Sequence, residues 1–391
     1  MDAAGSAVQF AFATATEIAF GSGARTIVGG RARIAGSRVL VVTGRSVQPS
    51  AEVLASLHAS GLPLVQWPVD GEPTVAAARA AVEAGRQHRA DVVVACGGGS
   101  AIDLGKAVAA LLANPGDPLD YLEVVGRGQA LTERSVPFIA VPTTAGTGAE
   151  VTRNAVLSVS EERQKVSLRS PLMLPVLAVV DPELTLALPP ALTASTGMDA
   201  LTQLIEPYVS VKANPLTDAI CLEGLPRVAR ALRRAFADGQ DLEARTDMAL
   251  GSLFGGLALA NAALGAVHGF AAPIGGRFPA PHGAVCAALL PSVMRANVHA
   301  LQARGGDTDR LDRYTRIARL LTEDPQATAS DGVEWVERLR DDMRIPSLGA
   351  YGVGSADVDD LVSAATQASS MRGNPIVLDA TELREVLLAA L

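Results

Sequence analysis

The sequence predicts an α/β domain built on a parallel sheet, followed by an all-helical domain. Short, continuous apolar runs alternate with helical patterns in the first half of the chain. Continuous apolar strands separated by helices are typical of a parallel sheet covered on both faces. Strand patterns fade near the Leu188-Pro189-Pro190 break, and the periodicity beyond it is helical. We therefore expect the first domain to span residues 1–189 and the helical domain residues 190–391.

The elements follow from this pattern in chain order. Strands are expected at 38–43, 91–95, 136–141 and 176–180, because each run is apolar and most end at Gly, Pro or Asp. Helices of the first half are expected at 78–86 and 102–112. Those of the second half are expected at 192–211, 214–237, 244–264, 282–304, 310–321, 332–343 and 358–369.

Composition excludes several classes of protein. Hydrophobic residues make up 49% of the 391 residues and charged residues 19%, so the chain is not disordered. A net charge of −8 argues against nucleic acid as a partner. Three widely spaced cysteines cannot form a disulfide framework or a zinc knuckle, and they fit a reducing compartment.

Membrane insertion and secretion are not expected either. Residues 248–276 have no charge but are rich in Gly and Ala, so we expect a buried helix and turn rather than a membrane span. The N-terminus lacks the basic region of a secretory signal. The expected location is the cytoplasm.

A glycine run follows the second predicted strand. The usual GxGxxG fingerprint is missing. Instead, Cys96-Gly97-Gly98-Gly99-Ser100 connects this strand to a helix whose first turns contain Asp103 and Lys106. Glycines let backbone N–H groups approach an anion, and the dipole of the following helix favours phosphate. A second loop, Pro142 to Glu150, follows the next strand. Either loop alone could be a tight turn without a ligand, whereas two at successive strand ends favour a nucleotide crevice.

The helical half contains a possible metal site. Asp199 and Gln203 are four residues apart on one predicted helix, and His268 and His282 are separated by a Gly275-Gly276 turn. One Asp and two His form the ligand set of a facial divalent-metal site. Spacing alone leaves this open, because His268 could be a buried structural residue and His282 the start of a helix.

The combined motifs resemble the iron-containing (group III) alcohol dehydrogenase family, including its maleylacetate reductase-like members. They are CGGGSAIDLGK (96–106), PTTAGTGAEVT (142–152), DPELT (181–185), TGMDALTQLIEPYVS (196–210) and VHGFAAPIGGRFPAPHGAVCAALLP (267–291). The resemblance implies a dehydroquinate synthase-like fold with an NAD(P)-binding domain and an interdomain active site. It also implies a homodimer, a small alcohol, aldehyde or keto substrate, and Fe²⁺ or Zn²⁺ that polarises the substrate oxygen.

The resemblance assigns roles by position. Cofactor-binding residues would be Gly97, Gly98, Gly99, Ser100 and Asp103 on the pyrophosphate and ribose, Thr143, Thr144 and Thr147 beside the nicotinamide, and Lys165 from the next strand. Asp199, His268 and His282 match metal ligands and are the candidate catalytic residues.

Two positions depart from the family pattern. Gln203 and Ala272 stand where the family has histidines. A Gln carbonyl oxygen is a weak, neutral ligand compared with imidazole. Three interpretations follow: a metal enzyme in which Gln203 is a ligand, a metal-independent NAD(P)H reductase that uses His268 or His282 as general acid, and a nucleotide-binding relative without catalysis.

The sequence indicates the coenzyme and substrate preferences less strongly than it indicates the site residues. Many family members have an acidic residue after the second strand of the fold, where Gly44 and Arg45 stand here, so we expect NADPH to be accepted. Arg277 could pair with a substrate carboxylate, as in a maleylacetate reductase-like enzyme that reduces an enone acid. We expect the pocket walls to come from Asn154, Phe270 and the helical residues around Leu264 and Met371.

Overall fold

A computed structural model describes residues 8–45, 48–305 and 308–391 of the protein. Its first seven residues, part of the segment tested above for a secretory signal, lie outside this description. Within the described ranges the strands are β1 (Glu17–Phe20), β2 (Val39–Gly44), β3 (Leu64–Val69), β4 (Val92–Gly97), β5 (Phe138–Pro142), β6 (Asn154–Val159), β7 (Gln164–Arg169) and β8 (Leu177–Val180).

The helices of the sheet domain cover both faces of the sheet, and the remaining helices form the second domain. The first group is α1 (Val28–Ala35), α2 (Ala51–Ala59), α3 (Val75–His88), α4 (Gly99–Ala113) and α5 (Pro118–Tyr121). The second group is α6 (Pro190–Val209), α7 (Pro215–Ala237), α8 (Leu242–Ala262), α9 (Ala266–Arg277), α10 (His282–Arg304), α11 (Thr308–Thr322), α12 (Ala329–Asp342), α13 (Val358–Gln367) and α14 (Ala380–Leu388).

The large sheet is parallel throughout and has the strand order β1-β8-β5-β4-β2-β3. Its central strands β2, β4 and β5 are almost completely buried, as continuous apolar runs predict. Parallel strands end at one edge of the sheet, so the loops after β4 and β5 lie side by side. Both loops singled out in the sequence therefore meet at this edge.

The four predicted strands correspond to β2, β4, β5 and β8, whereas β1, β3 and the antiparallel hairpin β6–β7 were not predicted. The missed strands lack a continuous apolar run. β3 is an edge strand with exposed and half-buried positions and includes Gln66 and Pro68. β6 alternates between buried and half-buried residues. The continuous apolar runs of the buried central strands were thus easier to recognise than the mixed patterns of the half-exposed strands.

The seven helices predicted in the second half are all present, with ends shifted by at most a few residues. The charge-free stretch 248–276 is not one helix and a turn but parts of two helices, α8 and α9, bent by 99°. Ala263 at the end of α8 has a positive φ of 62°, and Gly265 precedes α9. This bend turns the beginning of α9 toward α6.

Helix α10 is long and apolar enough to cross a membrane, but 83% of its most apolar window is buried within the described protein. Its buried face includes Val285, Leu289 and Val293, which belong to the main core of the helical domain. The length and hydropathy of α10 are therefore explained by its central position in that core.

Candidate functional site

A cavity of about 1050 Å³ lies between the loop edge of the sheet and the helical domain. It is lined by every residue for which the sequence predicted a role in cofactor, metal or catalysis. These are Gly44, Arg45, Gly97, Gly98, Gly99, Ser100, Asp103, Thr143, Thr144, Thr147, Lys165, Asp199, Gln203, His268 and His282. Residues more than 200 positions apart in the chain thus share one space.

The glycine run after β4 packs directly against the threonines of the loop after β5. A Cβ built on Gly99 would lie 3.1 Å from Thr147 Oγ1, and one on Gly98 would lie 3.3 Å from Thr144 Cγ2. Gly98 is the N-cap of α4 and has no capping side chain. The first N–H groups of α4 therefore face the cavity edge without a side-chain acceptor, which is the arrangement that binds anions.

Asp103 and Lys106 lie on the first turns of α4, where Lys106 is fully buried and Asp103 is half-buried. Burial raises the pKa of Asp103 to about 6, although Lys106 and the N–H group of Val156 oppose this shift. Burial also lowers the pKa of Lys106 to about 8. Lys106 Nζ donates to the carbonyl oxygens of Ala149 and Asn154, at 2.7 and 2.8 Å. Lys106 therefore fixes the loop after β5, while Asp103 lines the cavity.

Two predicted cofactor residues form ion pairs at the cavity rim. Lys165 on β7 is 3.0 Å from Glu72 and is largely buried. Arg45 is 3.1 Å from Asp70, and both side chains are exposed. Gly44 has open space where a side chain would project. The end of β2 thus has an exposed cation and no acidic side chain at position 44.

Four side chains from three helices form what we call the donor cluster: Asp199 on α6, His268 on α9, and His282 and Cys286 on α10. One ligand atom from each lies within 4.8 Å of all the others. His268 Nε2 is 3.4 Å from Asp199 Oδ1, and His282 Nε2 is 3.8 Å from the same oxygen. Cys286 Sγ is 3.8 Å from His268 Nε2 and 3.7 Å from His282 Nε2.

Glu206 orients the first of these histidines. Its Oε2 is 2.7 Å from Nδ1 of His268, and its Oε1 accepts the backbone N–H of Val267 at 2.8 Å. A Cβ on Gly265 would lie 2.8 Å from Glu206 Oε1, so glycine is required for this approach. With Nδ1 directed to the carboxylate, neutral His268 presents its Nε2 lone pair to the donor cluster.

The electrostatics of the cluster favour positive charge. Desolvation lowers the pKa of His282, but Cys286 and Asp199 raise it more, to about 9. The pKa of His268 is raised well above its ordinary value, because Cys286, Asp199 and Glu206 outweigh desolvation. Burial raises the pKa of Asp199, yet the two histidines and the Gln203 amide hold it below its ordinary value. The surroundings thus stabilise a cation among these groups.

The residues present fit a divalent metal ion. Asp199 Oδ1 and Gln203 Oε1 are buried polar atoms without a hydrogen-bond partner among the described residues. An unpaired buried oxygen costs about 1–3 kcal/mol unless it meets a donor or a cation. Carboxylate, imidazole and thiolate are ligands of Zn²⁺ and related transition metals. The cluster therefore has both the ligand chemistry and unsatisfied oxygens that a metal would satisfy.

Some predicted wall residues lie elsewhere. Asn154 and Leu264 line the cavity as expected. The residues just before Met371, 368–370, line it too, whereas Met371 itself packs near Gly269. Phe270 does not line it, because it is fully buried in the helical core. Arg277 at the end of α9 is likewise absent from the wall. Ala272 does line the cavity, and the absence of a ring there widens the space beside His268.

Sequence reasoning missed Cys286 and Glu206. Both positions follow a predicted ligand at helical spacing: Cys286 is four residues after His282, and Glu206 is seven after Asp199. Residues at i, i+4 and i+7 share one face of a helix. Applying this periodicity outward from each ligand would have identified both side chains.

Comparison with known proteins gives a consistent result over nearly the whole chain. Residues 15–182 match the family model described as iron-containing alcohol dehydrogenase. Residues 193–391 match the model of the C-terminal part of the Fe-containing alcohol dehydrogenase family.

Individual relatives extend this match. The chain is 34% identical to long-chain-alcohol dehydrogenase 1 of Geobacillus thermodenitrificans over 92% of this chain and 90% of that protein. A solved 1,3-propanediol oxidoreductase superposes with a TM-score of 0.90 at 33% identity, covering 98% of this chain and 100% of the other. Sulfoacetaldehyde reductase of Bifidobacterium kashiwanohense, solved in complex with NAD⁺, gives a TM-score of 0.85 at 28% identity, with 98% of each chain covered. The chain belongs to the iron-containing alcohol dehydrogenase family.

Proposed function

We propose that this oxidoreductase transfers hydride between NAD(P)H and the carbonyl carbon of a small aldehyde or ketone, and in the reverse direction from the corresponding alcohol. The observation that supports this most is the common cavity. One wall of the cavity consists of glycine loops at a helix N-terminus, and the opposite wall includes Asp199, His268 and His282. A hydride donor and a polarised oxygen could thus meet within one enclosed space.

In this proposal the sheet edge binds the dinucleotide. Gly97, Gly98, Gly99 and Ser100 would receive the pyrophosphate, because the α4 N-terminus favours negative charge. Asp103 would accept hydrogen bonds from ribose hydroxyls, and the threonines at 143, 144 and 147 would border the nicotinamide. Lys165 would contact the cofactor from β7. Gly44 and Arg45 leave room and positive charge for a 2′-phosphate, so NADPH should be accepted as well as NADH.

The helical wall would hold the metal and the substrate. Asp199, His268, His282 and the Gln203 amide oxygen are the ligands we propose for Fe²⁺ or Zn²⁺. A bound metal of this kind supplies Lewis-acid stabilisation of negative charge on the substrate oxygen. Glu206 keeps His268 in the ligating tautomer. Apolar residues such as Leu188, Leu259 and Leu264 limit water in the cavity and suit the carbon chain of a primary alcohol or aldehyde.

A second candidate is hydride transfer without metal. The side chain of His282 is 36% exposed and faces the cavity, and its pKa is raised to about 9. A protonated imidazole at this point could donate its proton to a carbonyl oxygen as a general acid. An enone acid, as reduced by a maleylacetate reductase-like enzyme, would be a substrate of this mode.

The experiment is a steady-state assay of NADPH and NADH oxidation with a series of aldehydes and ketones. It compares the wild type with Asp199→Ala, both purified without oxygen and supplied with iron and zinc. We expect Asp199→Ala to lose more than about 100-fold in kcat/KM, since even indirect partners of a metal are worth 10–100-fold. Equal rates for both proteins would reject the metal mode and favour general acid catalysis by His282.

Assembly and organisation are further proposals. β1 is an edge strand of the parallel sheet, paired with β8 on one side, so its free side could continue the sheet in a homodimer. We propose a cytoplasmic enzyme with a domain division at residues 189 and 190, where α6 begins with a proline.

A further inference from the structure

We propose that Cys286 is a ligand of the metal, taking the role of the imidazole that Gln203 replaces, and that this thiolate directs the site toward Zn²⁺ rather than Fe²⁺. The inference rests on the metal-dependent function proposed above. It goes further because it adds a residue and a metal preference that the family pattern does not contain.

The distances fit one ion bound by four protein ligands. Bond lengths of about 2.0–2.3 Å at tetrahedral angles separate neighbouring donor atoms by about 3.3–3.6 Å. Four of the six separations in the donor cluster run from 3.4 to 3.8 Å, and the other two are within 4.8 Å. Side-chain movements of about 1 Å or less would therefore bring Cys286 and the other three donor atoms onto a common ion.

Cys286 lies where the other three donor atoms of the cluster converge. Its Sγ, which can donate one weak hydrogen bond and accept others, is in contact with Nε2 of both histidines. When His268 is neutral with its Nδ1 directed to Glu206, its Nε2 lone pair faces the thiol. Asp199 Oδ1, which has no hydrogen-bond partner among the described residues, faces the same point. With both histidines deprotonated, a shared cation would balance these electron-rich atoms.

The charge and the softness of the ligands determine which metal ion the site prefers. On binding, the Cys286 thiol releases its proton to solvent and forms a metal–sulfur bond. Asp199 and the Cys286 thiolate then balance the two positive charges of the ion, whereas a ligand set of one Asp and three His leaves a net charge of +1. Soft thiolate ligands select zinc, and the general affinity order also favours Zn²⁺ over Fe²⁺.

Gln203 and Cys286 are alternatives for the strong fourth ligand. The Gln203 amide lies beside Asp199 and contributes to lowering the pKa of that carboxyl group. An amide oxygen is neutral and binds a transition metal weakly, and a thiolate is charged and binds it strongly. Loss of Cys286 should therefore weaken zinc binding much more than loss of Gln203.

X-ray absorption at the zinc edge, measured on the zinc-loaded full-length protein, tests this directly. We expect a sulfur scatterer at about 2.3 Å in addition to nitrogen and oxygen at about 2.0–2.1 Å. The sulfur contribution should vanish in Cys286→Ala and persist in Gln203→Ala. Cys221→Ala is the matched control, because Cys221 is equally buried but lies in the core on α7.

Chelator competition gives the second readout. Cys286→Ala should lower zinc affinity by at least about 10–100-fold, the range measured for weaker contributions to metal sites. Adding Gln203→His to this variant should restore most of the affinity, because it supplies an imidazole at position 203. It should also reduce the preference for zinc over iron.

Each outcome has a separate meaning. Zinc bound with only nitrogen and oxygen neighbours would overturn the role of Cys286 and leave the proposed function intact. Failure of the wild type to bind zinc or iron at one ion per chain would overturn both. If Cys286→Ala does not fold, the wild-type spectrum and that of Gln203→Ala still decide between sulfur and amide ligation.

Discussion

The two walls of the cavity are built in different ways. The sheet edge, formed by the loops after β4 and β5, presents backbone N–H groups and small side chains from two short stretches of chain. The donor cluster presents side chains from α6 and from the consecutive helices α9 and α10, which follow much later in the chain. A backbone site depends on glycines at fixed positions, whereas a side-chain site can change its residues if a neighbouring turn supplies an equivalent atom.

This difference explains where the chain departs from its family. The glycine loops match the family motif, and the departures at Gln203 and Ala272 lie in the helical wall. Cys286 lies one helical turn after His282 and reaches the same centre. In the proposed site, Cys286 on α10 thus takes the place of the histidine that is absent at position 203 on α6.

Among the residues of the helical wall that act through a proposed ligand, the largest expected effect is at Glu206. Glu206→Gln keeps an oxygen near Val267 but removes the carboxylate that holds the ring of His268. Metal affinity should fall about 10–100-fold, as for other carboxylates behind a ligating histidine. Chelator competition measures this. Glu223→Gln, on the exposed face of α7, is the control and should leave affinity unchanged; equal loss in both variants would contradict the role of Glu206.

A substitution in the glycine loop after β4 should weaken coenzyme binding and leave metal binding unchanged. Valine at position 99 would press against Thr147, because even a Cβ there comes within 3.1–3.2 Å of its side chain. We expect Gly99→Val to raise the KM for the nicotinamide coenzyme about 10-fold, equivalent to about 1.4 kcal/mol, with metal content unchanged. Gly30→Val, at a position with open space on α1, should have a normal KM. Loss of metal in Gly99→Val would show that the two walls are not independent.

The pKa of Asp103 predicts a pH effect on the same wall. Its folded value of about 6 lies above the ordinary value of 3.8, so the carboxylate is lost as pH falls through about 6. Since we propose that the carboxylate accepts ribose hydroxyls, KM for the coenzyme should rise a few-fold between pH 7 and pH 5. In Asp103→Asn this rise should disappear. A raised pKa also means that protonation favours the folded state, so stability should not fall over this interval.

The smallest effect is expected at Arg45. Its side chain is exposed and paired with Asp70, and exposed ion pairs contribute at most about 1 kcal/mol. Arg45→Ala should therefore lower kcat/KM for NADPH relative to kcat/KM for NADH by no more than about 5-fold. Ratios of kcat/KM for the two coenzymes measure this. A strong preference of the wild type for NADH would contradict the role proposed for Gly44 and Arg45.

The sequence was most informative at positions where the structure allows only a few residue types. Gly97 to Gly99 and the central strands β2, β4 and β5 were recognised because backbone approach and full burial restrict composition strongly. Strand β3 and the hairpin β6–β7 were missed because half-exposed strands have a mixed pattern.

The site was predictable to the extent that motif and spacing defined it. Asp199, His268 and His282 were identified from the family motif, and they do lie together in the cavity wall. Cys286 was not, because it is not one of the family's ligand positions, although its position one helical turn after His282 would have placed it on the same face of α10. Phe270 packs into the core because it lies two residues after His268 on α9, about 200° around the helix, and so points away from the cavity wall.

We propose that hydride transfer in this enzyme depends on a metal held by the donor cluster. To test this, metal is removed with a chelator, zinc or ferrous ion is added back stepwise, and bound metal and NADPH oxidation are measured in the same samples. We expect activity to return in proportion to bound metal and to saturate at one ion per chain. Full activity in the metal-free protein, unchanged by added metal, would show that hydride transfer does not need the metal.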